Sequence, residues 1–293
     1  MNSSFGTHES RLIIHAPAKV NLRLEVLSRR SDGYHELQMI NACLDLHDSV
    51  EIRKVGAGIH LHCDDPSLST GEDNLAWRAA DAIMKHTGLA AGVEIRIAKS
   101  IPIGAGLGGG SSDAAAVLLG VNRLFGLGLS GEVLREIGLG LGADVPYFIH
   151  GGPAVVRGIG ERISACTMKS NLSIILINPG FMVSTKSVYG EVASNLTLPQ
   201  KATNLPAALG GPPDVVRLLR NDLDAVVSSR HPEIAEMKSV LLSMGAIGAM
   251  MSGSGPTVFG VFRDDASRPK AQEIGAGKNW RVIPATTVAG GAW

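Results

Sequence analysis

The sequence has no excess of charge of either sign. Lys and Arg together number 27, and Asp and Glu together also number 27, in a chain of 293 residues. A protein that binds nucleic acid through its phosphates needs a surplus of basic side chains, so we expect no nucleic acid partner. Charged residues are few, at 18%, against about 25% in ordinary soluble domains. Glycine, with 36 residues, is well above its usual share of about 7%, which indicates a local concentration.

Cysteine is scarce. Cys43, Cys63 and Cys166 lie far apart and form no CxxC pair. An odd number of scattered cysteines argues against a disulfide framework and against a structural zinc site. The first eleven residues are polar and contain no apolar segment of the kind found in secretory signals. We therefore expect a cytoplasmic protein.

Long hydrophobic runs suited to a membrane are also lacking. The longest uncharged stretch, residues 239–262, is long enough to cross a bilayer, but the sequence SGSGP at residues 252–256 would break a helix in its middle. We expect this stretch to be buried core and expect no membrane partner.

The length of the chain exceeds the usual ~100–200 residues of one domain. A polar stretch at residues 167–173 places the expected boundary between domains at residues 1–165 and 166–293.

Both helical and strand periodicities are present, which predicts an α+β fold. Alternation at residues 20–26 predicts a half-buried strand with Lys19 and Asn21 on its polar face. Further strands are expected at residues 49–54, 59–62, 93–97, 174–177 and 257–262. Helices are expected at residues 74–87, 114–125, 215–228 and 232–243.

Five glycines crowd into residues 104–110, between a predicted strand and a predicted helix. Glycine adopts positive φ and lets the backbone approach a ligand closely, and the start of a helix offers free N–H groups and a positive dipole end. The pattern predicts a phosphate-binding loop. Its residues are Pro102, Ile103, Gly104, Ala105, Gly106, Leu107, Gly108, Gly109, Gly110, Ser111 and Ser112.

Other interpretations of this loop differ in what they require elsewhere. Residues 104–109 satisfy the dinucleotide pattern GxGxxG, but no strand ending in an acid follows about 20 residues later. The match keeps a nicotinamide-dependent oxidoreductase open as an alternative, although the missing acid argues against it. An ordinary glycine-rich turn is the second alternative. The sequence has neither a GxxxxGK[ST] loop nor a GxSxG elbow, which excludes a Walker A site and argues against a hydrolase.

Three segments resemble, in chain order, the motifs of the GHMP kinases. They are PAKVNL at residues 17–22, the glycine-rich loop, and MSGSGPTVF at residues 251–259. The resemblance implies a two-domain kinase fold, with ATP bound by an N-terminal catalytic domain and the substrate by a C-terminal domain. Mg²⁺ is expected because a metal neutralises the β,γ charge in phosphoryl transfer. Its protein ligands stay unassigned, with a hydroxyl of Ser111 or Ser112 as one candidate.

The same resemblance implies a catalytic lysine and aspartate, which match Lys19 and Asp144. An aspartate within reach of the acceptor hydroxyl can take its proton, and a nearby ammonium keeps that aspartate ionised. Asp144 lies in an otherwise uncharged run, residues 137–156, where an isolated carboxylate is unfavourable. It is either a general base or a group that orients the hydroxyl. The alternative is a structural one, in which Asp144 caps a helix that contains Pro146.

Two further segments, DGYHEL at residues 32–37 and GADVPYF at residues 142–148, are similar to one branch of the family. Members of that branch phosphorylate the 2-hydroxyl of an alcohol carrying a cytidine diphosphate group, for isoprenoid precursors. The resemblance implies that Tyr34 and Tyr189 stack on the cytosine, that His35 hydrogen-bonds it, and that Asn21 binds substrate. Either tyrosine could instead be a core residue.

Lys99 and Asn74 match family positions near the nucleotide, although Asn74 could simply cap its helix. The implied partner is a small-molecule substrate, and both a monomer and a homodimer stay open. Three rival functions remain at this point. They are a kinase for another small alcohol such as homoserine or mevalonate, the oxidoreductase, and a nucleotide sensor without catalysis.

Overall fold

The computed structural model describes residues 10–195 and 200–288. Its strands are β1 (Arg11–Arg29), β2 (His35–Val55), β3 (Ile59–Cys63), β4 (Gly92–Ala98), β5 (Ala154–Gly158), β6 (Arg162–Ala165), β7 (Thr167–Met168), β8 (Ser173–Asn178), β9 (Ala208–Leu209), β10 (Arg220–Asn221), β11 (Gly248–Met251), β12 (Val258–Phe262) and β13 (Arg281–Thr286). Its helices are α1 (Leu75–Thr87), α2 (Gly109–Phe125), α3 (Gly131–Leu139), α4 (Val145–His150), α5 (Thr185–Asn195), α6 (Pro212–Val216), α7 (Asp224–Arg230), α8 (Glu233–Ser243) and α9 (Ala271–Gly275).

The chain forms two compact units, and the long strands β1 and β2 contribute to both. The first unit combines the start of β1 with Asp48–Ser100 and Gly110–Ile149. The second combines Pro17–His47, Ile101–Gly109 and the chain from His150 onward. The domain boundary expected between residues 165 and 166 stays a prediction.

In the first unit, α2 packs on a small mixed sheet. The end of β2 pairs antiparallel with β4, and β4 pairs parallel with β3. The helix lies close against the sheet at Gly120, where an added Cβ would lie 2.2 Å from Cδ1 of Ile52. The alanine-rich face of α2 is buried throughout. Small side chains therefore bring the helix, and with it the end of the glycine-rich loop, close against the sheet.

The described part of the second unit holds two larger sheets and a short parallel pair formed by β7 and β9. One joins β10, the second part of β1, the first part of β2, β5 and β6. The other has the order β11-β12-β8-β13, with antiparallel pairing throughout. Strand β8 lies between β12 and β13 and is buried along its whole length. A strand buried on both faces does not need to alternate, which accounts for its apolar run IILI at residues 174–177.

Most predicted elements are confirmed, but β1 differs from its prediction. It is not half-buried, because its polar face is covered as well: Lys19 is 3% exposed, Asn21 1% and Glu25 1%. These side chains are buried because they bind other polar groups. Glu25, for example, accepts hydrogen bonds from Arg23 and Arg220 at 2.8 and 2.9 Å. Buried polar groups are tolerated when their hydrogen bonds are satisfied.

The helix predicted at residues 215–228 is wrong. The segment is divided into α6, β10 and α7. Strand β10 pairs in parallel with β1, and the Asn221 amide donates to the carbonyls of Met251 and Gly253 at 2.9 and 2.8 Å. These distant contacts replace the helical hydrogen bonds that the local pattern favours. No helix in residues 10–195 and 200–288 is long and apolar enough to cross a membrane.

Candidate active site

The glycine-rich loop requires its glycines. Gly104, Gly106 and Gly108 have φ of +62°, +75° and +75°, the left-handed region that residues with a Cβ rarely adopt. Space is lacking too, since a Cβ on Gly106 would lie 2.3 Å from the carbonyl oxygen of Ser252. The alternating positive φ values fold the backbone into a tight curve that leads into α2, which begins at Gly109 rather than at the predicted residue 114.

The first and third sequence motifs meet this loop in the second unit. The backbone N–H of Lys19 donates to the carbonyl of Leu107 at 2.9 Å. The Ser252 hydroxyl donates to the carbonyl of Gly106 at 3.0 Å. Segments far apart in the chain thus fix the loop from both sides. The structure brings together the Lys19 motif, the loop and the Ser252 motif.

Lys19 belongs to a buried chain of hydrogen bonds. Its ammonium donates to Oδ1 of Asn21 at 2.6 Å, and Nδ2 of Asn21 donates to Oδ1 of Asn41 at 2.7 Å. The backbone of Gly253 lies against this chain, since an added Cβ there would be 3.1 Å from Oδ1 of Asn21 and 3.4 Å from Nζ of Lys19. The predicted pair of Lys19 and Asn21 is therefore adjacent, with a third polar side chain beyond it.

In the first unit, the segment before α4 comes close to the start of α2. Gly142 lies near Ser111, with 3.8 Å between an added Cβ and the Ser111 hydroxyl. Asp144, two residues later, immediately precedes α4 and is partly buried, and its carbonyl accepts the N–H of Phe148 at 3.3 Å. The Ser112 hydroxyl is buried without a hydrogen-bond partner. Hydroxyl groups and the free N–H groups of a helix start are thus collected at one place.

Lys99 is also in the first unit, held between two buried aspartates. Its ammonium donates to Asp48 and, at 2.7 Å, to Asp113. Burial raises the pKa of Asp113 to about 7, although Lys99 counteracts this shift. The two aspartates raise the pKa of Lys99 against the opposing effect of its burial. The ammonium is therefore already balanced by carboxylates, and its expected place near the nucleotide stays a prediction.

Asn74 caps α1. Its side chain accepts the N–H of Ala76 at 2.9 Å, and its amide donates to the carbonyl of Ser69 at 2.8 Å. The capping alternative considered from the sequence is confirmed. A contact between Asn74 and the nucleotide stays a prediction.

The aromatic segment after the β1–β2 turn lies in the second unit. Tyr34 is 58% exposed, so it is not a core residue. His35 is almost wholly buried and stacks on Tyr189, with ring centroids 5.5 Å apart and 26° between the planes. Nε2 of His35 has no hydrogen-bond partner. Burial and the nearby charge of Arg29 lower the pKa of His35, which favours the neutral imidazole.

Comparison with known families decides what these motifs mean. Residues 74–152 match the family model described as the GHMP kinases N terminal domain, and residues 207–280 match the GHMP kinases C terminal model. The chain belongs to the GHMP kinase family. The predicted two-domain GHMP kinase fold of mixed helix and strand is confirmed. A GHMP kinase is a small-molecule kinase that uses ATP, so the oxidoreductase alternative is wrong.

Relatives of this GHMP kinase match it along almost its whole length. It is 49% identical over 280 residues to 4-diphosphocytidyl-2-C-methyl-D-erythritol kinase of Citrifermentans bemidjiense, covering 95% of this chain and 99% of that one. The protein of that name from Geobacter metallireducens is 47% identical over 274 residues, covering 93% and 97%. Full coverage at this identity extends the likeness beyond the motifs to both halves of the chain.

Solved structures give the same result. A crystal structure of 4-(cytidine 5'-diphospho)-2C-methyl-D-erythritol kinase superimposes with a TM-score of 0.78 at 34% identity, covering 95% of this chain and 100% of that one. Homoserine kinase from Cytophaga hutchinsonii superimposes with a TM-score of 0.74 at 20% identity, covering 99% of each chain. The second likeness is one of fold alone.

Some side chains around the motifs of this GHMP kinase were missed from sequence. Asn41 could have been predicted from the sequence. It is an isolated polar residue in the apolar stretch MINACL, and the same kind of isolation singled out Asp144. Asp48 and Asp113 had no such signal, since nothing local pairs them with Lys99. Ser252 was placed in a motif, but its bond to Gly106 needs the fold to be seen.

Proposed function

We propose that this kinase transfers the γ-phosphoryl group of ATP to the 2-hydroxyl of 4-diphosphocytidyl-2-C-methyl-D-erythritol, giving the 2-phosphate and ADP for the non-mevalonate isoprenoid pathway. The observation that carries the proposal is the His35 ring, buried against Tyr189 with an unpartnered Nε2 and next in sequence to the exposed Tyr34. The names of its full-length relatives support the same substrate. A cytoplasmic location and a monomer or homodimer stay predictions.

The aromatic segment suits a cytosine ring. A flat base is stabilised by stacking on aromatic faces, and its edge is read by hydrogen bonds. Tyr34 and Tyr189 would supply the faces, and Nε2 of His35 would bind the edge. A buried ring nitrogen without a partner is unfavourable in the free enzyme, and a bound base removes that cost.

The glycine-rich loop suits the ATP phosphates. The curve through Gly104, Gly106 and Gly108 keeps side chains away, so that phosphate oxygens could reach the backbone. The free N–H groups and the positive dipole end at the start of α2 would attract the negative charge. Lys99 and Asn74 would lie at the nucleotide as structural supports of this region.

Phosphoryl transfer then needs a proton acceptor and stabilisation of charge. The bond between the γ-phosphorus and the β,γ-bridging oxygen breaks, a bond from the acceptor oxygen to phosphorus forms, and the hydroxyl proton goes to the carboxylate of Asp144. The Lys19 ammonium stabilises the charge that moves between the oxygens. Asn21 holds that ammonium in one direction through its 2.6 Å hydrogen bond.

Mg²⁺ fits the residues present at the start of α2. The buried, unpartnered hydroxyl of Ser112 is an oxygen ligand of the kind this ion prefers, and Mg²⁺ usually takes only one or two protein ligands beside phosphates and water. Ser112 would hold the ion, with Ser111 as the neighbouring candidate. When bound, Mg²⁺ neutralises charge on the β- and γ-phosphates.

An assay of ADP release tests the proposal. The enzyme is given ATP and Mg²⁺ with 4-diphosphocytidyl-2-C-methyl-D-erythritol, homoserine or mevalonate in parallel. We expect turnover only with the cytidine compound. Turnover with homoserine or mevalonate alone would contradict the proposed substrate. ATP binding without turnover of any alcohol would favour a nucleotide sensor.

A further inference from the structure

The hydrogen-bond chain that begins at Lys19 has a fixed direction. An ammonium group has donors only, so the Asn21 atom that faces Lys19 must be its carbonyl oxygen Oδ1. The Asn21 amide nitrogen Nδ2 is then the group that faces Asn41, and the Asn41 atom it meets must be an acceptor, Oδ1. The orientation of both amides follows from the chemistry of Lys19 alone.

With the amides oriented in this way, one donor has no acceptor. Nδ2 of Asn41 is buried and has no hydrogen-bond partner, and the Asn41 side chain is wholly inaccessible to solvent. A buried N–H group without an acceptor is unfavourable, and such groups in native proteins call for an explanation. Met39 and Cys43, which share its face of the strand, are buried apolar residues, so an apolar side chain would suit this position equally well.

We propose that Asn41 is a further residue of the acceptor site, in which Oδ1 orients Asn21 toward the Lys19 ammonium and Nδ2 donates to an oxygen of the bound acceptor alcohol. This inference rests on the proposed function, because it takes Lys19 to lie at the reacting oxygen. Asn41 binds and positions the alcohol, and it takes no part in proton transfer. Because Nδ2 is closed to solvent in the free protein, the alcohol reaches it only when the neighbouring side chains move aside, and it then supplies the acceptor that the free protein lacks.

Three variants separate this role from a purely structural one. Asn41→Leu removes both hydrogen-bonding atoms. Asn41→Asp keeps an oxygen toward Asn21 but replaces the Nδ2 donor with an acceptor. Ile40→Val is the matched control, since it removes one methyl group from the adjacent core position of β2 and leaves the chain of amides intact. Thermal unfolding of all three shows whether each variant is folded.

We expect the Asn41 variants to change the kinetic constants for the alcohol but not the KM for ATP. In Asn41→Leu the KM for the alcohol should rise about tenfold through loss of the Nδ2 bond, and kcat should fall about tenfold through loss of the Oδ1 bond, since one hydrogen bond corresponds to about one factor of ten. The KM for ATP should stay within about twofold. In Asn41→Asp the KM for the alcohol should also rise. Kinetics of Asn41→Leu equal to those of Ile40→Val, or an unchanged alcohol KM in Asn41→Asp, would overturn the inference.

The same experiments test the role of Asn41 separately from the identity of the substrate. The wild-type enzyme is first assayed with all three alcohols, and the variants are compared on the one it phosphorylates. Wild-type inactivity on the cytidine compound overturns the proposed substrate alone. The side-chain amide signals of Asn21 in an NMR spectrum, assigned with Asn21→Asp, give a readout without turnover. They should shift and exchange faster with water in Asn41→Leu but not in Ile40→Val; unchanged signals would overturn the inference.

Discussion

The Lys19 ammonium donates a 2.6 Å hydrogen bond to Oδ1 of Asn21, two residues further along the same strand. Residues two apart on a strand share a face, so the spacing alone brings these side chains together. Both are almost completely buried. Burying a charged group is unfavourable unless polar atoms surround it. The polar face of β1 therefore forms a connected hydrogen-bond network inside the protein. Such a network is suited to fixing the orientation of the Lys19 ammonium.

Asp144→Asn should separate chemistry from nucleotide binding. The amide cannot take the proton of the acceptor hydroxyl, so kcat should fall by about a hundredfold or more. Affinity for ATP, measured by calorimetry, should barely change. Near-wild-type turnover would contradict the proposed role of Asp144, and a parallel loss of ATP affinity would assign it to nucleotide binding instead.

Tyr34→Ala should weaken binding of the cytidine substrate. Because Tyr34 is 58% exposed, its removal should leave the melting temperature nearly unchanged while the KM for the cytidine compound rises through lost stacking. Ile13→Ala is the matched control, since Ile13 is another large apolar side chain at 47% exposure. Equal KM values for the two variants would argue against a role of Tyr34 in binding the base.

Gly106→Ala should damage both stability and activity. The substitution forces a Cβ into left-handed backbone, at a cost of about 1–2 kcal/mol, and places it 2.3 Å from the Ser252 carbonyl oxygen. That clash adds about 1–3 kcal/mol of overpacking. Gly126→Ala separates the two effects, because Gly126 has φ +63° and nothing within 4 Å of an added Cβ. Equal losses in denaturant unfolding would show that the loop is not tightly packed there.

His35 should make stability depend on pH. Its folded-state pKa lies below the unfolded value near 6.5, mainly because the ring is buried. The unfolded chain therefore binds the proton first as the pH falls. The stability contributed by neutral His35 is present above about pH 6.5 and lost as the pH falls through the lowered folded pKa. His35→Gln should show a weaker loss of unfolding free energy on acidification than the wild-type protein, and an equal loss in the two proteins would contradict this role of His35.

Much of the site could be predicted because its signals are local. The glycine-rich loop, the helix after it and the alternating polar residues of β1 each occupy one short stretch, and the backbone physics of glycine and of strands acts within that stretch. Family motifs in β1 and at residues 142–148 suggested roles for Lys19 and Asp144, and these roles stay predictions. The candidate site was thus located without knowledge of the fold.

The remainder depends on contacts between distant parts of the chain. Asn221 holds two carbonyls about 30 residues away, and this turns part of a predicted helix into β10. The partners of Lys99 come from β2 and α2. The burial of both faces of β1 likewise needs the surrounding elements. No periodicity within a short window contains this information.

The position of the transferred phosphate tests most directly whether the enzyme phosphorylates the 2-hydroxyl. Phosphorus NMR is recorded on the product made from ATP and 4-diphosphocytidyl-2-C-methyl-D-erythritol. Carbon 2 of this alcohol bears a methyl group and no hydrogen, so a 2-phosphate has no hydrogen on the carbon next to its ester oxygen. We expect a new phosphomonoester signal that is not split by such a hydrogen. A signal split by neighbouring hydrogens, as at any other hydroxyl, or no new phosphomonoester at all, would contradict it.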